Sequence, residues 1–177
     1  MYAITLAAAA IIWPFIVNCV ADKYGTDVSA RFLERLGHIP STGKALTREN
    51  LEEWLRSPAN GQFRRPYAYF IMPLDFVYIC LVGGFFVWGS LWLAAALTWP
   101  RPATWPFCVL VCILPVVYVV SDLVEDALIA RIVPRQDVTN TEFKVMRWAT
   151  KIKMVCFGAA AVQTFVLGVC AVFWSAA

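Results

Sequence analysis

The sequence has few charged residues and only one histidine. Asp, Glu, Lys and Arg make up 15% of its 177 residues, whereas hydrophobic residues make up 60%, and the mean hydropathy is +0.65. An ordinary soluble domain carries about 25% charged residues, so this composition excludes that class and indicates an integral membrane protein. The single histidine, His38, excludes a bis-histidine haem and argues against a histidine-rich metal centre.

Motifs of redox and hydrolytic enzymes are also missing. The six cysteines form no C-x-x-C pair and all lie in apolar stretches, where a thiol usually packs as a small hydrophobe. Cys108 and Cys112 share one helix face and could bind a soft metal, but packing is the expected role. The sequence has no Walker loop, Ser/His/Asp set or zinc cluster. The stretch "DLVEDALIAR" departs from the D-x-x-D-G-x-x-A-R motif of CDP-alcohol phosphotransferases. We therefore expect no catalytic residue, no metal and no cofactor.

Four long apolar segments dominate what is present. A helix needs about 20 apolar residues to cross the hydrocarbon layer, and backbone groups in lipid must be satisfied within the segment, which favours helices. The segments are predicted to span the membrane over residues 2–21, 68–97, 105–131 and 143–174. The first segment lacks the basic n-region of a signal peptide, so we expect it to be retained as a span. The sequence therefore predicts an all-α protein, a single integral membrane four-helix bundle.

Basic residues are distributed unevenly between the connecting loops. Of the 15 Lys and Arg residues, eight lie between Lys23 and Arg65, six lie between Arg131 and Lys153, and only Arg101 lies elsewhere. The positive-inside rule then predicts that loops one and three are cytoplasmic and that both termini lie outside. Nothing in the pattern indicates a nucleic-acid partner.

The first loop, residues 22–67, is patterned as structured chain. Asp27 and Thr47 are predicted N-caps of two short amphipathic helices, the first ending at Gly37 and the second followed by Pro58. These helices either pack under the bundle or lie in the headgroup layer, and alternatively they form a docking surface for a partner. The residues predicted to lie at the lipid interface are Trp54, Arg64, Arg65 and Tyr67.

Acidic residues inside the apolar segments are the main functional signal. Asp122, Glu125 and Asp126 are spaced i, i+3 and i+4 and so share one helix face. An ionised carboxylate at the centre of a spanning helix costs at least ~2.5 kcal/mol, so we expect Asp122 and Glu125 to face the bundle interior. Asp126 is expected to pair with Arg131 or reach solvent. The other residues expected at the same depth are Asp75 on the second span, Lys151 or Lys153 on the fourth, and Asn18 on the first.

Two interpretations of this polar layer remain open. It is either an ion-pair layer that fixes the register of the helices, or the lining of a cavity for an ion, a proton, a lipid headgroup or a small solute.

The stretches "MPLDFVY" and "DLVED", with a lysine on the fourth span, resemble a group of small bacterial four-span membrane proteins. That group carries Asp on helix two, D-x-x-E-[ND] on helix three and Lys on helix four. The resemblance implies that Asp75, Asp122, Glu125 and the lysine form one constellation in a bacterial inner membrane. It implies no activity.

The preferred function is that of a non-enzymatic accessory or assembly subunit. Its partners would be the lipid bilayer and either another membrane protein or a second copy of the chain. Small residues on its outer faces would meet lipid or partner helices, namely Gly83, Gly84, Gly89, Gly158 and Gly168. One alternative is a small transporter or channel that uses the acids as its site, and a third is an enzyme acting on a membrane lipid or quinone.

Overall fold

The computed structural model describes residues 2–22, 45–98 and 104–175, and this part of the chain is all-α, as predicted. In chain order the helices are α1 (Tyr2–Asp22), α2 (Arg48–Arg56), a 3-10 turn (Pro58–Asn60), α3 (Gly61–Pro66), a π-helical segment (Tyr67–Ile71), α4 (Met72–Thr98), α5 (Trp105–Arg135) and α6 (Asn140–Ser175). The predicted amphipathic helix that begins at Asp27 lies outside the described residues, as does His38.

Within the described residues, three helical stretches are long and apolar enough to cross a membrane, namely Arg64–Thr98, Trp105–Arg135 and Asn140–Phe173. Helix α1 contains a shorter apolar stretch, Thr5–Val20. Helices α4, α5 and α6 all contact one another, and α1 packs against α4. The Trp13 indole N–H donates a hydrogen bond of 2.8 Å to the Leu74 carbonyl and ties α1 to α4.

Two apolar core clusters are stacked along the helices. The first contains Ile71 of α4's N-terminal extension, Ile129 and Ile132 of α5, and Met146 of α6, together with the buried residues of α2. The second contains Phe86 of α4, Tyr118 of α5 and Ala160 of α6, among others. Each of the three helices carries polar side chains between these two clusters, namely Asp75 on α4, Asp122, Glu125 and Asp126 on α5, and Thr150 and Lys153 on α6; we call them the polar layer. We call the end formed by the first cluster the α2 end.

Helix α2 is stabilised by its cap and by its apolar face. The Thr47 hydroxyl accepts a hydrogen bond of 3.2 Å from the Asn50 N–H, which confirms the predicted N-cap. The apolar face, Leu51, Trp54 and Leu55, is buried in the first core cluster. In the structure, α2 therefore packs against residues of the π-helical segment, α5 and α6.

Chain geometry changes where α3 leads into α4. The Met72 N–H donates to the Tyr67 carbonyl in the wide turn of a π-helix. Pro73 follows directly and has no N–H to donate to the Tyr69 carbonyl one turn earlier. A wide turn before a helix proline relieves the clash of its ring with that carbonyl, and the two stretches join into one long helix.

Three of the glycines expected on outer faces pack inside the chain instead. A Cβ on Gly83 would lie 2.2 Å from Val119 Cγ2, so α4 and α5 approach closely at this position. Gly84 faces Leu6 of α1, and Gly89 faces Thr164 of α6. The reason is that small residues let packed helices approach one another, and these glycines lie on faces that α4 uses for its own neighbours. Gly158 and Gly168 have open space around them.

Candidate functional site

Lys153 of α6 lies at the centre of the polar layer. Its Nζ is 2.5 Å from Asp122 Oδ1 and 2.6 Å from Glu125 Oε2, both on α5. All three side chains are buried, with residue exposures of 9%, 3% and 0% respectively. One ammonium group thus bridges two carboxylates on successive turns of α5, as the i, i+3 spacing of the acids allows.

A hydroxyl group completes the surroundings of Glu125. The Thr150 hydroxyl, also on α6 and 1% exposed, donates a hydrogen bond to Glu125 Oε1. Sequence reasoning missed this residue. The available signal was its position three residues before Lys153, which places both side chains on one face of α6.

Asp75 and Asp126 form the other half of the layer. Carboxylate oxygens of Asp75, Asp122 and Asp126 all lie within 4.8 Å of one another. Asp126 is only 7% exposed. The expected pairing with Arg131 is not found, because Arg131 projects outward and pairs with Glu142 at 3.6 Å.

Two residues expected in the layer lie outside it. The side chain of Lys151 is exposed, with its Nζ 5.3 Å from the centre of the Trp148 ring. Positions two apart on an α-helix differ in direction by about 200°, so only one of Lys151 and Lys153 can face α5. Asn18 of α1 is also exposed.

The layer contains more acid than base. Among the described residues, four carboxyl groups, Asp75, Asp122, Glu125 and Asp126, are grouped around the Lys153 ammonium. Three carboxylates this close could in geometry hold a metal ion, although the Lys153 ammonium already serves as the cation for Asp122.

A cleft gives the layer access from the side. It has a volume of about 210 Å³, and α4, α5 and α6 all contribute to its lining. The buried Asp122 and Lys153 line it together with Asp75, and so do Met154 and Phe157, which are 49% and 38% exposed. The apolar core clusters lie above and below the layer. The cleft therefore opens toward the outer surface of the helices rather than along their axis.

Aromatic side chains line this cleft, and sequence reasoning did not select them. Tyr78 and Tyr118 contribute to its walls, next to Asp122. The Tyr118 and Phe157 rings are 5.5 Å apart. Tyr118 lies four residues before Asp122 and so on the same face of α5, which was the usable signal.

The residues predicted to lie at the lipid interface divide into two pairs. Trp54 and Tyr67 are buried in the first core cluster, with exposures of 3% and 1%, which corrects the expectation for them. Both are large side chains, and the apolar residues of the first core cluster cover them. Arg64 is half-buried and Arg65 is exposed.

Comparisons with known proteins give no match to a family model, to a characterised protein or to a solved structure. The functional proposals below therefore rest on the geometry of the polar layer and of the helix surfaces.

Proposed function

We propose that this chain is a non-enzymatic integral membrane protein that crosses the bilayer four times, with α1 as the fourth span. The observation that carries the proposal is the position of the polar layer, between two apolar clusters and with Lys153 between Asp122 and Glu125. Charged groups inside a membrane are tolerated where they face the bundle interior and pair with one another. The layer would fix the rotation and register of α4, α5 and α6, which lipid alone gives little drive to associate.

The outer surface of α6 supports a role as an accessory or interaction subunit. Of the most apolar 18 residues of α6, only 11% are buried within the chain. The corresponding share is 33% for the Arg64–Thr98 stretch and 28% for α5. Val155, Phe165 and Phe173 are 70%, 71% and 73% exposed, and Gly158 and Gly168 leave room for a close neighbour. We propose that this surface packs against a helix of another membrane protein or of a second copy.

Photo-crosslinking in native membranes tests the subunit role. A photoreactive residue replaces Phe165 on α6, and the matched control replaces Leu110 on α5, which is 61% exposed. We expect a discrete crosslinked species from position 165 and none from position 110. If neither position yields a crosslinked chain, and the protein extracted in mild detergent is a lone monomer, the subunit role is excluded.

The distribution of basic residues supports an orientation in a bacterial inner membrane. Arg48, Arg56, Arg64, Arg131 and Arg135 all lie in the segments that form the α2 end. By the positive-inside rule this end faces the cytoplasm, and both termini lie outside.

A small transporter or channel is the second candidate, and the surplus of carboxyl groups in a laterally open cleft favours it. Asp75 lines this cleft together with Asp122 and Lys153. Proton flux into proteoliposomes, followed with an internal pH dye, tests the role. The Asp75→Asn variant is expected to lose the flux, whereas the control Asp137→Asn, which removes a half-exposed acid outside the cleft, keeps it. Equal flux in both variants would exclude Asp75 from a transport path.

A further inference from the structure

A second cleft lies at the α2 end, away from the polar layer. It has a volume of about 380 Å³ and lies between α3, with the π-helical segment, and the C-terminal end of α5. Arg64 and Arg65 line one side, and Val133, Pro134 and Gln136 line the other. The cleft therefore combines two guanidinium groups with an apolar wall and a side-chain amide.

The Arg64 guanidinium is held in place within this cleft. Its Nη1 donates a hydrogen bond to the Leu55 carbonyl at the end of α2. A Cβ on Gly61 would lie only 3.3 Å from Arg64 Nη2, so the glycine leaves room for the guanidinium to lie along the backbone. A guanidinium carries five N–H donors, so most of them remain available to a ligand.

Neighbouring acids are engaged by other arginines. Within the described part of the chain, Glu52 pairs with Arg48 and Arg56, and Glu142 pairs with Arg131 and Arg135. Asp137 pairs with Arg56 at 3.9 Å, and no carboxylate there forms an ion pair with Arg64 or Arg65. The C-terminal end of α5 adds a partial negative charge, so an anion would depend on both guanidinium groups for its binding.

The depth of the cleft indicates where such an anion would come from. Arg64 and Arg65 directly precede the apolar run that continues through α4. Tyr69, which also lines the cleft, is 64% exposed, and Phe70 beside it is 49% exposed. An arginine pair at the end of an apolar helix, followed by exposed aromatic side chains, lies at the level of lipid headgroups.

We propose that this cleft binds the phosphate of an anionic phospholipid headgroup, with Arg64 and Arg65 as its ligands. Guanidinium groups bind phosphate oxygens in bidentate geometry, and basic pockets at the ends of spanning helices are suited to anionic headgroups. Pro134, which is exposed, would contact the apolar part of the lipid next to its headgroup. The inference rests on the proposed insertion in a membrane, but not on a partner chain or on transport.

Native mass spectrometry of the detergent-solubilised protein, titrated with phosphatidylglycerol, tests the site. The variant Arg64→Gln/Arg65→Gln is compared with Arg56→Gln/Arg131→Gln, which removes the same charge from exposed positions at the same end. We expect the test pair to weaken lipid binding by about tenfold or more and the control pair by less than about twofold. Similar binding in the two double variants would overturn the site.

Two further arms identify the source of the phosphate and separate this inference from the membrane proposal. Inorganic phosphate, titrated into the complex of the protein with phosphatidylglycerol, is expected not to displace the lipid; displacement at equal concentration would assign the cleft to a soluble anion and overturn the lipid assignment. Gly61→Ala keeps every charge but crowds Arg64, and it is expected to weaken lipid binding as well.

Flotation with liposomes checks insertion itself. A protein that floats but binds phosphatidylglycerol without dependence on Arg64 and Arg65 contradicts the cleft and leaves the membrane proposal intact.

Discussion

At the scale of single residues, Lys153 is the base that compensates the acids of the polar layer. Removing one partner from a buried ion pair leaves the other charge without compensation, which is far more costly than the loss of an exposed pair. Lys153 compensates two buried carboxylates and lies close to two further carboxyl groups. The stability of the whole layer should therefore depend on this one side chain.

Lys153→Met and Lys151→Met make a matched pair of substitutions on one helix. We expect Lys153→Met to lower the free energy of unfolding by about 3–5 kcal/mol, because it leaves buried carboxylates without their base. Lys151 is exposed over Trp148, so its replacement should cost less than about 1 kcal/mol. Reversible unfolding in mixed micelles measures both values, and equal losses would contradict the burial of Lys153.

Sequence reasoning could select the acids but not their base. Asp75, Asp122 and Glu125 were identifiable because an acid within an apolar stretch has few acceptable positions. Lys151 and Lys153 lie at the same depth, and the choice between them depends on the rotation of α6, which is set by packing against α5 rather than by local sequence. The same is true of Asp126: its position close to Asp75 depends on the relative placement of α4 and α5.

At the scale of elements, the close approach of α4 and α5 depends on Gly83. An added methyl group there would lie 2.2 Å from Val119, while Gly158 on α6 has open space around it. In a helix interior, alanine is otherwise favoured over glycine by up to about 1 kcal/mol. The same substitution should therefore have opposite effects at the two positions.

Gly83→Ala is expected to destabilise the protein by about 1–3 kcal/mol, as overpacking of a tight contact usually does. Gly158→Ala is expected to be neutral or slightly stabilising. Thermal unfolding in detergent measures both variants. A neutral Gly83→Ala would show that α4 and α5 are not in close contact at this position.

Helix α2 offers a second matched comparison, between two tryptophans. Trp54 is 3% exposed in the first core cluster, and Trp148 on α6 is 63% exposed. We expect Trp54→Ala to cost about 3–5 kcal/mol and to release α2 from the bundle, and Trp148→Ala to cost less than about 1 kcal/mol. Limited proteolysis near Pro58 reports the release of α2. A resistant Trp54→Ala protein of unchanged stability would place α2 in the headgroup layer after all.

The apolar face of α2 was predictable, whereas its destination was not. Leu51, Trp54 and Leu55 follow helix spacing, and Thr47 is a common N-cap residue. Whether such a face meets lipid or protein depends on what the bundle end exposes, and residues of α4's extension, α5 and α6 form that surface only after they pack.

At the scale of the whole molecule, the apolar composition predicted an all-α protein. The distribution of basic residues predicts an orientation of the chain in the membrane, which can be measured. In a cysteine-free background, Asp137→Cys places a thiol at the α2 end, and Thr104→Cys places one at the start of α5, the opposite end. A membrane-impermeant maleimide should label only Thr104→Cys in right-side-out vesicles and only Asp137→Cys in inverted vesicles. The reverse pattern would contradict the proposed orientation, and labelling of both positions from one side would contradict the crossing by α5.

The acids and the base of the polar layer compensate one another in this account. A double-mutant cycle of Asp122→Asn and Lys153→Met tests that compensation most directly. The free energy of unfolding is measured in mixed micelles for the two single variants, the double variant and the parent. Asp122→Asn should cost less than Lys153→Met, because Lys153 keeps its contact with Glu125. The double variant is expected to lose about 1–3 kcal/mol less than the sum of the two single losses, since removing Asp122 also removes one of the charges that Lys153→Met leaves unpaired. Strictly additive losses would show that Asp122 and Lys153 do not interact, and the compensated layer would be contradicted.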